Sequence, residues 1–194
     1  MKNSIIKILG ICMIAVLATA GCQKKESAAE SKPVEETTKK EAEEPVVIDS
    51  LNYISVEEDI EIELPDDTWK CTEDTGSSIT FESEAGIISI MHLKGEDIAS
   101  IQVPADQAAY EAMIKGNFAE LQYEILEYEN IEDNGRTGYK VVVKYDDSNP
   151  DKYTVGYGTY SADDGYTVAA TLTDDDEELL NRVKDSIHGM KILK

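Results

Sequence analysis

The sequence predicts an α+β domain: an antiparallel sheet of six or seven strands with two main helices packed on it. Three observations lead there. Asp59-Ile60-Glu61-Ile62-Glu63-Leu64 alternates strictly between charged and apolar residues, as a strand with one buried face does. Two segments near the middle and the end of the chain repeat apolar residues at spacings of three and four, the mark of amphipathic helices. Between them lie four strand-like runs, and two of the joints carry Asn-Gly or Asp-Gly, dipeptides that suit tight hairpins.

In chain order, the Asp59–Leu64 strand ends at the turn Pro65-Asp66-Asp67. Ser77–Phe81 and Gly86–Leu93 form a strand pair around Glu84-Ala85-Gly86. Ile87, Ile88 and Ile90 put apolar groups on both faces of the second strand, which places it centrally in the sheet. Pro104 opens the first helix, capped by Asp106 or a neighbour, with Ala109, Tyr110, Met113, Ile114, Phe118 and Leu121 as its buried stripe. The four runs that follow are Tyr123–Glu129, Thr137–Tyr145, Tyr153–Tyr160 and Gly165–Leu172. Asp133-Asn134-Gly135 and Asp163-Asp164-Gly165 turn the hairpins, and Asp147–Asp151 joins the middle pair. In the closing helix Thr173 is the expected cap, with Asp176 three residues on. Asp174–Glu178 lie at the positive end of its dipole and Arg182, Lys184 and Lys191 towards the negative end. Leu179, Leu180, Val183, Ile187 and Met190 face the core.

The front of the chain has a different character. Lys2 and Lys7 precede an almost wholly apolar run from Ile8 to Ala20, the layout of a secretory signal, and the run is too short to span a bilayer. It ends in Ala18-Thr19-Ala20-Gly21-Cys22, which resembles a bacterial lipobox. The resemblance implies that Cys22 is alkylated by a diacylglyceryl group and becomes the first residue of the mature chain. Small residues at Ala20 and Gly21 fit the pattern; Thr19 departs from it, since leucine is usual there. Two acyl chains hold a protein stably where one does not. From the cysteine to residue 46 charges of both signs alternate, with no aromatic residue, so the segment cannot bury enough surface to order itself. The organisation expected is a signal peptide at 1–21, a lipidated cysteine and disordered linker at 22–46, and a single domain at 47–194.

The charge is strongly acidic, −22 with 40 Asp and Glu against 18 Lys and Arg. That excludes nucleic acid as a partner and docking onto anionic lipid, both of which need positive charge. The membrane is therefore a partner through the lipid anchor only, and a monomer on the extracytoplasmic face of the cell membrane is expected. With Cys22 lipidated, Cys71 has no partner for a disulfide and reads as a structural thiol.

Ile60–Lys70, a strand followed by a turn from Pro65 to Trp69, resembles the opening of PsbP-like domains. The Gly138–Val143 strand and the long last helix resemble the same group. The resemblance implies an α/β/α sandwich across about Asp59 to Leu193 and an accessory or binding role rather than an enzymatic one; it assigns no functional residue.

The residues themselves offer few sites. Asp146-Asp147-Ser148-Asn149-Pro150-Asp151 packs oxygen donors into one loop, but without the spacing of a calcium loop it reads as a solvated turn, and no metal or cofactor is expected. His92 and His188 have no metal spacing and no nucleophile beside them in sequence, and no phosphate loop or nucleophile elbow occurs. Tyr153, Tyr157 and Tyr166, with Tyr139 and Tyr145, either pack beneath the helices or form a sheet face that binds carbohydrate or peptide; core packing is the default. Trp69 reads as core or turn packing. The function expected is a membrane-anchored, non-enzymatic binding or accessory module of the cell envelope. The alternatives are a ligand-binding protein using the tyrosine face and an envelope enzyme of unknown substrate.

Overall fold

The computed structural model describes residues 51–99, 101–117 and 121–193. The signal peptide, Cys22, the linker and Phe118 of the first helix's stripe lie outside the described residues. The elements are β1 (Asn52–Ile54), β2 (Ile60–Glu63), β3 (Lys70–Asp74), β4 (Ser78–Ser83), β5 (Gly86–Lys94), α1 (Glu96–Ala99), α2 (Gln107–Asn117), β6 (Tyr123–Asp133), β7 (Arg136–Tyr145), β8 (Tyr153–Tyr160), β9 (Asp164–Leu172), α3 (Glu177–His188) and β10 (Lys191–Ile192).

Two sheets form. The larger has seven antiparallel strands in the order β3-β4-β5-β9-β8-β7-β6, and the smaller has three in the order β1-β2-β10. The predicted class and strand number hold for the larger sheet. Beyond the prediction lie β1, β3, α1 and β10, of two to five residues each, too short to display a period.

Side-chain alternation divides the core between the two faces of the large sheet. One face carries Phe81, Ile88, Ile90, Val168 and Leu172 against β2 and the Leu179, Val183 and Ile187 stripe of α3. The other carries Tyr139, Val141, Val143 and Tyr160 against Tyr110 and Ile114 of α2. Val142 faces the first cluster while its neighbours face the second, so β7 is buried on both sides. Each fully buried aliphatic contributes roughly 1.5–3 kcal/mol. β5 is central, as expected, but Ile87 is exposed, because α1 and α2 cover only the far end of its face.

Local chemistry sets the element ends. Asp106 caps α2, its carboxylate accepting from the Ala109 N–H at 2.8 Å. Gly116 is an exposed position of this helix, with open space where a Cβ would stand. Gly116→Ala is therefore expected to stabilise the domain by about 0.5–1 kcal/mol in urea denaturation, and a loss would show that the site is not free helix. Asn134 and Gly135 take φ of 50° and 77°, the left-handed pair that a two-residue hairpin requires.

Three sequence expectations are corrected. Asp176, not Thr173, caps α3 and accepts from the Glu178 and Leu179 N–H groups; the Thr173 hydroxyl donates to the Ala85 carbonyl instead. Lys191 lies beyond the helix in β10, where it pairs with Glu61 at 2.9 Å. The β8–β9 turn falls earlier than Asp-Gly, with the Ser161 N–H donating to the Asp164 carbonyl. Gly165 is a strand residue. A Cβ there would stand 2.4 Å from the Tyr160 ring and 2.6 Å from Ile98, so close packing explains the glycine.

Candidate functional site

Among the described residues, a cluster of ionisable side chains lies where the small sheet meets the end of the large one. Its first member, Asp59, follows the tight β1–β2 turn, in which Glu58 adopts a φ of 52°. Ser55 fixes the turn: its hydroxyl donates to Asp59 Oδ1 at 2.5 Å and accepts from the Asp59 and Ile60 N–H groups. Asp59 Oδ2 then reaches the large sheet. It accepts from the Tyr166 hydroxyl at 3.1 Å and lies 2.8 Å from His92 Nδ1.

Register brings the rest together. His92 on β5 pairs with Tyr166 on β9, which pairs with Thr159 on β8. The imidazole stacks on the Tyr166 ring with centroids 4.2 Å apart. Its Nε2 stands 3.6 Å from Asp164 Oδ2. Neither ring nitrogen makes a directed hydrogen bond, so His92 is held between two carboxylates by close contact and by stacking on Tyr166. Arg136, at the start of β7, completes the chain. It donates to Asp164 Oδ1 at 2.8 Å and to the Thr159 hydroxyl and carbonyl, each at 3.3 Å, and its guanidinium carbon lies 5.6 Å from the Tyr166 ring centre. Ser161 donates to Asp164 at 2.6 Å.

The electrostatics follow from these contacts. Burial works to raise the Asp59 carboxyl, but hydrogen bonds from Ser55 and Tyr166 and the neighbouring His92 outweigh it and hold it below the ordinary carboxylate range. Asp164 is likewise lowered, with burial opposed by Ser161 and Arg136. Burial, then the charge of Asp59, pushes the Tyr166 phenol well up, so it remains a donor. Chemically the cluster is a clamp: Asp59, His92, Tyr166, Asp164 and Arg136 contact one another in a continuous chain, with Ser55, Thr159 and Ser161 as further partners.

A smaller group sits at the other end of β7 and β8. Lys144 donates to the Tyr153 hydroxyl at 3.0 Å and to Asp175 at 2.9 Å, and Tyr153 donates to Asp175. Lys144 and Asp175 line a groove of about 510 Å³, together with Gln122–Glu124 and Tyr145–Asp147.

The residues singled out from sequence fall as follows. Cys22 lies outside the described residues. Cys71 is free and half-buried beside the Tyr53 hydroxyl, and burial pushes its thiol up. Asp146 accepts from the N–H and hydroxyl of Ser148, so its loop is a self-bonded turn. Burial lowers His188 at the end of α3, and Trp69 is buried in the core. For the tyrosines the core reading holds, since Tyr153, Tyr166, Tyr139 and Tyr145 are buried and Tyr157 is half-buried, but they do not share one face: Tyr153, Tyr157 and Tyr166 border one core and Tyr139 and Tyr145 the other. Sequence reasoning did not assemble the Asp59–His92–Asp164–Arg136 cluster; Asp59 and Asp164 read as a strand start and a turn.

No family model and no curated protein matches the chain. Among solved structures, that of the cyanobacterial PsbP protein of Synechocystis aligns with TM-score 0.51 and 13% identity, over 73% of this chain and 91% of that one. The fold is PsbP-like. The Ran-binding protein Mog1p of Saccharomyces cerevisiae also aligns, with TM-score 0.47 and 7% identity, over 74% of this chain and 95% of that one. Within the PsbP-like sandwich, the clamp ties the β1–β2 turn to the ends of β5, β7 and β9.

Proposed function

We propose that this protein is a lipid-anchored, extracytoplasmic lipoprotein that serves as a non-enzymatic binding or accessory module of the cell envelope. The observation that carries the non-enzymatic part is the clamp. The histidine, carboxylates and tyrosine best suited to acid–base chemistry are engaged with one another, and His92 and Asp59 are 8% exposed. The PsbP-like sandwich is compatible with such a role. The lipobox resemblance at Cys22 and the charged linker support the anchor, and the acidic domain favours contact with proteins over anionic lipid.

Cys22→Ala tests the anchor. The variant is expected to move from the membrane to the soluble fraction and to lose the mass of the acyl groups on its N-terminal peptide. Unchanged fractionation would overturn the lipoprotein reading.

A further inference from the structure

We infer that the free edge of β6 is a docking site for a basic, extended peptide segment of a partner protein, which adds to the large sheet as a further strand. This rests on the binding-module reading and names its surface.

Among the described residues β6 ends the sheet on one side and pairs with β7 alone, so that no described strand lies along its outer edge. It is eleven residues long. The opposite edge strand, β3, has five; each edge strand carries one register shift, between Cys71 and Glu73 in β3 and between Ile125 and Glu127 in β6, which leaves seven regular residues of β6 beyond its shift. Long unpaired edges are templates for strand addition.

The surroundings of β6 suit one kind of occupant. Side chains of an added strand point alternately to the two faces of the sheet. A groove flanks the start of β6 on each face, and the two share Gln122–Glu124. One, about 510 Å³, is bordered by Lys144 and Asp175; the other, about 480 Å³, by Gln107, Glu111 and Lys115 of α2. Carboxylates outnumber lysines in both: Glu124, Asp146, Asp147 and Asp175 against Lys144, and Glu111 and Glu124 against Lys115. The strand itself carries Glu124, Glu127, Glu129, Glu132 and Asp133 with no basic residue. Some of this charge is answered within the fold, Glu127 by Lys184 at 2.6 Å, while Glu124 and Glu129 stand across from Lys144 and Lys140 on β7. The excess repels a second copy of the same edge and attracts a strand of opposite sign. Leu126, exposed at the β6 bulge, adds an apolar contact between the acids.

The probe is a short peptide of alternating lysine and valine, titrated into the full chain at low salt and followed by amide exchange and chemical shifts. Binding is expected with slowed exchange along β6. A peptide of the same charge with alternate amides N-methylated keeps the electrostatics but cannot pair; equal binding would overturn strand addition. Alternating glutamate and valine is expected not to bind, and equal affinity would overturn the charge argument. Asp147→Lys, at a fully exposed position, and Glu124→Gln should each weaken the lysine peptide by about fivefold. Protection elsewhere on the sheet, or no binding, overturns the inference; Cys22→Ala fractionation reads the lipoprotein proposal independently.

Discussion

Replacing Asp59 with alanine is expected to destabilise the domain by about 3 kcal/mol, a fall in Tm of roughly 6–12 °C. The side chain is small, so the loss is not one of packing. Its carboxylate accepts from Ser55 and Tyr166 and lies against His92, and alanine deprives all three of that partner. Asp59→Asn, which retains one acceptor, is expected to cost less. The energy is shared, so Asp59→Ala combined with Tyr166→Phe should cost less than the two single changes summed. The pH dependence has a definite sign. Asp59 and Asp164 are both lowered below 3.8, so the stability they contribute is complete above the ordinary carboxylate value and is lost as pH falls through their folded values. Urea titrations from pH 6 downward should show the native chain losing stability on acidification more steeply than Asp59→Ala. A loss under about 0.5 kcal/mol at neutral pH, or parallel pH curves, would show that the cluster does not clamp the sheets.

This clamp also marks where sequence reasoning stops. β2, α2, α3 and the Asn134-Gly135 hairpin were legible because each is encoded by neighbours: a period of two, a stripe at three and four, a dipeptide with positive φ. Asp59 and Tyr166 are separated by 107 positions, and only the β5–β9 register brings His92 beside them. No local pattern distinguishes Asp59 from the other acids of an acidic chain. The tyrosines are core residues, as expected by default, but their division between two faces was hidden for a related reason. Odd-numbered Tyr139 and even-numbered Tyr166 can be assigned to opposite faces only once β7, β8 and β9 are in register. Thr173 and Asp176 are both good caps, and the choice went to Asp176 because Thr173 still lies beside Ala85, at the end of the β9 ladder.

Gly138→Ala is expected to cost about 4 kcal/mol, more than a single overpacked methyl ordinarily does. Gly138 lies on β7 opposite Thr159 of β8, and an added Cβ would stand 1.9 Å from the Gly158 carbonyl oxygen and 2.9 Å from Thr159 Cα. Those atoms are backbone, so no rotamer change relieves the clash and the two strands must separate. Separation reaches the clamp directly, since Arg136, two residues away, spans the same gap to the Thr159 carbonyl and to Asp164. The nearby Gly135→Ala is the control. Its φ of 77° strains alanine, but nothing lies within 4 Å of the new methyl, so its cost should stay near 1–2 kcal/mol. Amide exchange should quicken along β7 and β8 in Gly138→Ala and only at the turn in Gly135→Ala. If the two costs are equal, β7 and β8 are not held at the close spacing that brings Arg136 to Asp164, and the clamp loses one of its supports.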